Sequence, residues 1–138
     1  MTPTCLRTSP RHEGERNRGA LAVLDARRGE AFAALYAADG ARLWEPLVLA
    51  PEALAERLAE LPQAPLAAGS GAVRFRHELS SRGVEIPDDA DPVHRVAARH
   101  VCAAAADLDR DGGPLEPIYL RPPDAQRWRE RDDSKRAG

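Results

Sequence analysis

The chain has 138 residues and a formal net charge of −2, and 43% of its residues are apolar, 30% charged and only 4% aromatic. This balance is typical of one folded domain with a core of alanine, leucine and valine, and it excludes a wholly disordered chain. The charge excludes a general attraction to nucleic acid or to anionic membranes. Because no apolar run approaches the roughly 20 residues that span a bilayer, and no signal peptide is recognisable, we expect a cytoplasmic protein without a membrane partner.

Residues 1–19 are polar and lack helical or strand periodicity, which predicts a disordered tail. A β-hairpin follows. Apolar residues fill 21–24 and 31–38, and the polar insert between them contains Gly29, which readily adopts a positive φ. Residues 42–49 predict a third strand, which Pro46 places at the edge of the sheet because proline cannot donate to a ladder.

Pro51 begins a predicted helix that ends before Pro62, with Leu54, Leu58 and Leu61 on its apolar face. Residues 65–68 then predict a short strand.

The Gly69-Ser70-Gly71 turn leads into a helix predicted over 72–81, with Ser70 as its N-cap and Gly83 as its C-cap. Residues 84–86 are a candidate fifth strand.

Asp91-Pro92 is a helix-start signal. The apolar face of this last predicted helix is Val93, Ala97, Val101, Ala104 and Leu108. We expect 114–124 to be extended and 126–138 to form a charged tail.

These elements predict an α/β fold with a mixed sheet in the order β-β-β-α-β-α-β-α. Strands joined by short turns are antiparallel, whereas strands separated by helices need parallel, right-handed crossovers. By analogy, residues 20–125 form a single ribonuclease H-like unit, the half from which actin-like ATPases are built.

Candidate chemical motifs are few. Metal-dependent nuclease chemistry needs carboxylates within the first and fourth strands, but those strands are apolar, and Asp25 and Glu30 are interpreted as turn residues. The Gly69-Ser70-Gly71 turn lacks the further glycines and the lysine of a phosphate loop. Residues 107–112 resemble the start of a calcium loop, but its twelfth position is Ile118. We therefore assign no catalytic residue, metal ligand or cofactor.

The histidines and cysteines are interpreted as structural or surface residues. None of the histidines shares a recognised zinc arrangement. Cys102 lies in an alanine-rich predicted helix without an identifiable base, and Cys5 lies in the polar tail, so neither a nucleophile nor a disulfide is expected.

Several short motifs resemble the second half of TsaB (YeaZ), a family of the bacterial machinery that makes threonylcarbamoyladenosine in tRNA. The hairpin resembles the family's IDAR–GEVY segment, and the chain has Gly-Ser-Gly where the family usually has Gly-Asp-Gly. The helix starts at Pro51 and Pro92 and the ending through Asp124-Ala125 also match. The motif positions are Asp25, Ala26, Arg27, Gly29, Glu30, Gly69, Ser70, Gly71, Tyr119, Leu120 and Arg121.

The resemblance implies a non-catalytic scaffold subunit that supports the TsaD-type transferase and the TsaE-type ATPase, with tRNA contacted only indirectly. It also implies a truncated family member, because the motifs of the family's first half are not found. Such a chain would expose apolar surface that a missing half, or self-association, would cover. The alternative is a small stand-alone hydrolase or metal-dependent nuclease on the ribonuclease H-like fold. No peptidase motif supports the glycoprotease-like label of related sequences.

The ending around Tyr119 and Leu120 is predicted to lie back across the domain, with both side chains as anchors. In that case Tyr119→Ala would unfold the chain or sharply lower its melting point, since removing a buried ring costs about 3–5 kcal/mol. The competing interpretation is that this motif contacts a partner, and then the same substitution would weaken partner binding without changing stability.

Overall fold

A computed structural model describes residues 18–106, 114 and 116–121. Residues 1–17 of the predicted tail, the calcium-like 107–112 stretch and the charged tail 126–138 lie outside these residues. The elements are β1 (Ala20–Asp25), β2 (Ala31–Tyr36), β3 (Leu47–Leu49), α1 (Pro51–Ala59), β4 (Leu66–Ala68), α2 (Ser70–Arg74), α3 (Arg76–Ser80), a 3-10 turn (Pro92–His94) and α4 (Ala98–Ala106).

The predicted hairpin is confirmed. β1 and β2 pair antiparallel along their whole length, from Ala20 opposite Tyr36 to Asp25 opposite Ala31. The amide of Glu30 donates to the carbonyl of Arg27 at 3.1 Å, and the residues between them, Arg28 and Gly29, have φ of 56° and 76°. Two positive φ angles are what a type I′ turn requires, and this turn suits the twist of the two strands.

The strands form one mixed sheet in the order β3-β2-β1-β4. β3 lies at the edge, antiparallel to β2, and β4 runs parallel to β1 on the other side. The α/β class and the mixed sheet are therefore confirmed.

Two strand predictions are wrong in extent. The third strand covers only Leu47–Leu49, because Pro46 cannot donate to the ladder, and Arg42 makes just an isolated bridge with Tyr36. The proposed fifth strand over 84–86 is an isolated parallel bridge between Glu85 and Leu66, closed by one bond from the Ala67 amide to the Glu85 carbonyl at 2.9 Å.

The first helix matches its prediction, with Pro51 as its first residue and Leu54 and Leu58 buried. The helix predicted over 72–81 is instead two short helices, α2 and α3, separated at Phe75, whose φ and ψ of −105° and 29° leave the helical region. The predicted Ser70 N-cap is also wrong. Gly69 occupies the N-cap position, and Ser70 is the first residue of α2.

Helices α1 to α3 cover one face of the sheet. The odd-numbered residues of β1 and β2 point to that face, where Leu21, Val23 and Leu35 pack with Leu54 and other buried side chains of the helices. The even-numbered residues point to the opposite face, which helices α1 to α3 do not cover.

The last helix differs most from its prediction. Asp91 and Pro92 begin only the 3-10 turn, whose cap is the Asp91 carboxylate bound to the Val93 amide at 2.9 Å. Arg95 returns to extended backbone, and α4 starts at Ala98 with none of its residues buried. Of the predicted apolar face, Val101 is 56% exposed, Val93, Ala97 and Ala104 are half-buried, and Leu108 lies outside the described residues. No helix within the described residues is long and apolar enough to cross a membrane.

Leu54→Ala should lower the free energy of unfolding by about 2–5 kcal/mol, because Leu54 is completely buried between α1 and the sheet and its removal leaves a cavity. Urea unfolding followed by circular dichroism measures this loss. Leu43→Ala is the matched control, since Leu43 is exposed and its truncation should change stability by less than about 0.5 kcal/mol. Equal losses for the two variants would contradict the assigned core.

Candidate functional site

The motif residues meet at the end of the sheet that holds the hairpin turn. The amide of Asp25, at the end of β1, donates to the Ser70 hydroxyl at 3.1 Å. The guanidinium of Arg121 pairs with the Glu30 carboxylate at 2.9 Å. Three stretches that are far apart in sequence, namely the hairpin, the Gly-Ser-Gly turn and the chain ending, are thus joined by direct contacts.

Asp25 is the acidic residue at the centre of this arrangement. One carboxylate oxygen accepts a bond from the Arg27 amide at 2.9 Å, and the other pairs with Arg74 of α2 at 3.1 Å. The interpretation of Asp25 as a turn residue agrees with these contacts. The bond to the backbone amide stabilises the hairpin turn, and the ion pair with the guanidinium stabilises the contact between the turn and α2.

The two glycines of the Gly-Ser-Gly turn allow α2 to approach β1 closely. A Cβ atom on Gly69 would lie 2.2 Å from the Val23 carbonyl oxygen, and one on Gly71 would lie 2.8 Å from the Leu24 carbonyl carbon. Gly69 also has a φ of 117°, which other residues rarely adopt. The interpretation as a tight turn rather than a phosphate loop agrees with this geometry, because the glycines accommodate backbone of the same chain.

His94 is a buried residue whose structural role the sequence did not reveal. It is 8% exposed, and its Nδ1 accepts a bond from the Gly69 amide at 3.1 Å. Its Nε2 lies 3.2 Å from the Pro87 carbonyl. Because the Gly69 amide can only donate, Nδ1 must be the unprotonated nitrogen, and Nε2 then carries the proton that is donated to Pro87. The only sequence signal was the Asp91-Pro92 start just before it.

Arg76 stabilises the loop after α3 by binding its backbone carbonyls. Its guanidinium donates to the carbonyl of Ile86 at 2.9 Å and to that of Pro87 at 2.6 Å, and it also pairs with Asp89. An open depression is lined by Arg76, Ile86, Asp88 and Asp89. Arg76 is the cation among these lining residues, and it already binds two carbonyls and a carboxylate. We therefore interpret the residues that line the depression as structural.

Tyr119 and Leu120 were predicted to anchor the chain ending, and the structure contradicts this prediction for Tyr119. Tyr119 is 82% exposed and Ile118 is 70% exposed, so Tyr119 is not an anchor, and the expectation that Tyr119→Ala unfolds the chain falls with it. Leu120 is half-buried. The contact that holds the ending is polar, because Arg121 and Glu30 are both largely shielded in their ion pair. Asp124 and Ala125 lie outside the described residues.

Ala26 is buried and closes the hairpin by donating to the Glu30 carbonyl at 2.9 Å. Cys102 is free and exposed on α4. Within residues 18–106 and the described part of the ending, no group of three or more histidine, cysteine or acidic residues could hold a metal ion.

Neither a known protein-family model nor a curated protein matches this sequence.

Gly71→Ala should destabilise the chain by about 1–3 kcal/mol, because the new methyl group forces α2 away from the backbone of β1. In an unconstrained helix the same change stabilises by up to about 1 kcal/mol, so the sign of the effect is diagnostic. Chemical denaturation gives the value. At Gly83 a Cβ meets open space, and Gly83→Ala should show only the cost of a positive φ, about 1 kcal/mol. A stabilised Gly71→Ala variant would show that α2 does not touch β1 in this way.

His94→Leu should accelerate hydrogen exchange at the Gly69 amide and lower stability by about 1–3 kcal/mol, since this buried donor loses its acceptor while the volume is largely kept. Exchange followed by NMR reports the amide directly. His77→Leu is the control, because His77 is exposed. Unchanged protection of Gly69 in the His94 variant would refute the bond.

Proposed function

We propose that this chain is a non-catalytic scaffold subunit of the tRNA threonylcarbamoyladenosine machinery, corresponding to the second half of the TsaB family. In this role it acts in the cytoplasm, binds a TsaD-type transferase together with its TsaE-type ATPase, and contacts tRNA only through them. The proposal starts from the sequence motifs, and the contacts between those motifs are what support it.

The observation that carries the proposal is the joining of the motif stretches. A chance resemblance in short, separate stretches would have no reason to bring them together, yet Asp25 binds Ser70 and Glu30 binds Arg121. The ion pair also has a consequence for the ending. It fixes the chain at Arg121, while the neighbouring Ile118 and Tyr119 present large apolar side chains to solvent.

Exposed aromatic side chains next to a fixed point are typical of protein contact surfaces, because a rigid aromatic ring gains much contact area for little lost freedom. The competing interpretation of the ending therefore becomes the proposed one. Ile118 and Tyr119 form the contact with the transferase, and Arg121 positions them.

The topology supports a ribonuclease H-like unit. Three antiparallel strands are followed by a strand parallel to the first, in the order β3-β2-β1-β4, and the Glu85 bridge lies where a fifth parallel strand would extend the sheet. The nuclease alternative finds less support, because the acid at the end of β1, Asp25, is bound by Arg74 and by the Arg27 amide rather than open to a metal ion.

Tyr119→Ala should weaken capture of the TsaD-type transferase from the same organism by about tenfold or more, while leaving the unfolding transition of the isolated chain unchanged. Binding of purified proteins by biolayer interferometry and thermal unfolding give the two values. Val96→Ala is the matched control, because Val96 is 77% exposed but lies far along the chain from the motif residues.

Two results would contradict the proposal. One is failure of the unmodified chain to bind the transferase at tens of micromolar. The other is normal threonylcarbamoyladenosine content of tRNA in cells from which the gene has been deleted.

A further inference from the structure

Glu30 occupies a position that the backbone of the hairpin determines. Its amide donates to the Arg27 carbonyl at 3.1 Å, and its carbonyl accepts a bond from the Ala26 amide at 2.9 Å. Because both bonds use backbone atoms only, another residue that keeps its N–H would close the turn in the same way. The carboxylate is therefore not needed for the turn itself. It pairs instead with the guanidinium of Arg121 at 2.9 Å, 91 positions later in the chain.

The ion pair between Glu30 and Arg121 is shielded from water on both sides. The side chain of Arg121 is 19% exposed and that of Glu30 is 31% exposed. In each of the four other ion pairs between residues that the structure describes, at least one side chain is 50% exposed or more. Solvent and salt screen a partly buried pair less than an exposed one, so this contact holds its two residues together more firmly.

The ending, which is residues 116–121, is tied to the domain through this side-chain contact. Residues 116–120 belong to no helix or strand, so no ladder of backbone hydrogen bonds fixes them. Tyr119 and Ile118 precede Arg121 by two and three residues, which is about 7 and 10 Å of extended chain. A fixed Arg121 therefore restricts the space that these two exposed side chains reach.

We propose that Glu30 is a positioning residue for partner binding. Through its ion pair with Arg121, it holds the ending in the conformation in which Ile118 and Tyr119 contact the transferase. This inference rests on the proposed function and adds to it a residue of the hairpin that does not itself touch the partner. A contact segment that is ordered before binding loses less conformational freedom when the complex forms, and the affinity is higher by that difference.

The first test needs no partner. The heteronuclear nitrogen-proton NOE of the amides of residues 118–120 reports how well the ending is ordered on the picosecond-to-nanosecond timescale. We expect Glu30→Gln to lower these values, because glutamine keeps the shape of glutamate but lacks the charge that attracts Arg121. Glu45→Gln is the matched control, since Glu45 also pairs with an arginine but not with the ending. The amide signals of β1 and β2 show whether the hairpin remains folded.

The second test measures the dissociation constant of the complex with the TsaD-type transferase. Glu30→Gln should raise it about threefold or more, in proportion to what an ion pair of this kind contributes. Glu30→Arg and Arg121→Glu should each raise it further, because each places two like charges side by side. The variant with both substitutions restores an ion pair of reversed polarity and should bind within about threefold of the unmodified chain. A residue that only stabilises the hairpin would show no such rescue.

The results separate this inference from the proposed function on which it rests. If the unmodified chain does not bind the transferase, both are wrong. If it binds, and Glu30→Gln binds equally well or keeps an equally ordered ending, only this inference is overturned. The same holds if both single reversals weaken binding and the double variant does not recover it, because the two residues then act separately.

Discussion

The close approach of α2 to β1 is the constraint on which the rest of the structure depends. Gly69 and Gly71 bring helix backbone against the carbonyls of Val23 and Leu24, at separations that a side chain would prevent. This proximity places the Ser70 hydroxyl within reach of the Asp25 amide, and Arg74 within reach of the Asp25 carboxylate. It also presents the Gly69 amide to His94. One pair of glycines thus determines where the hairpin, the helical layer and the loop before α4 meet.

The elements that the sequence predicted well are those in which local preference and tertiary contacts agree. The hairpin has two continuous apolar strands and a glycine in its turn, and α1 has a proline at its start and leucines on one face. The predictions that failed depended on contacts between distant residues. Ser70 has the chemistry of an N-cap, but its hydroxyl binds the neighbouring strand. Helical spacing continued from Val93 to Leu108, yet His94 binds Gly69 and Pro87 and the backbone becomes extended at Arg95.

The candidate site also has features that the sequence predicted and features that it did not. The motif residues were recognisable from their types and spacing, but their roles were not, because an ion pair such as that between Arg121 and Glu30 joins residues 91 positions apart. Tyr119 is an example of a residue whose role the sequence did not reveal. The sequence predicted an extended segment here, but periodicity does not reveal whether an apolar residue faces its own core or a partner. The same limit applies to the even-numbered residues of β1 and β2, whose apolar character indicated burial without indicating by what.

The hairpin turn has an unusual backbone. Arg27, Arg28 and Gly29 all have positive φ, although arginine is not a residue that favours the left-handed region. Each such residue raises the energy of the folded chain by about 1 kcal/mol relative to glycine, and the surrounding ladder and the Asp25 bond hold the conformation in place. The positive φ angles of this loop therefore lower the stability of the folded chain. Asparagine or glycine at position 28 would remove the backbone cost of the left-handed conformation there, at the expense of the interaction that Arg28 makes.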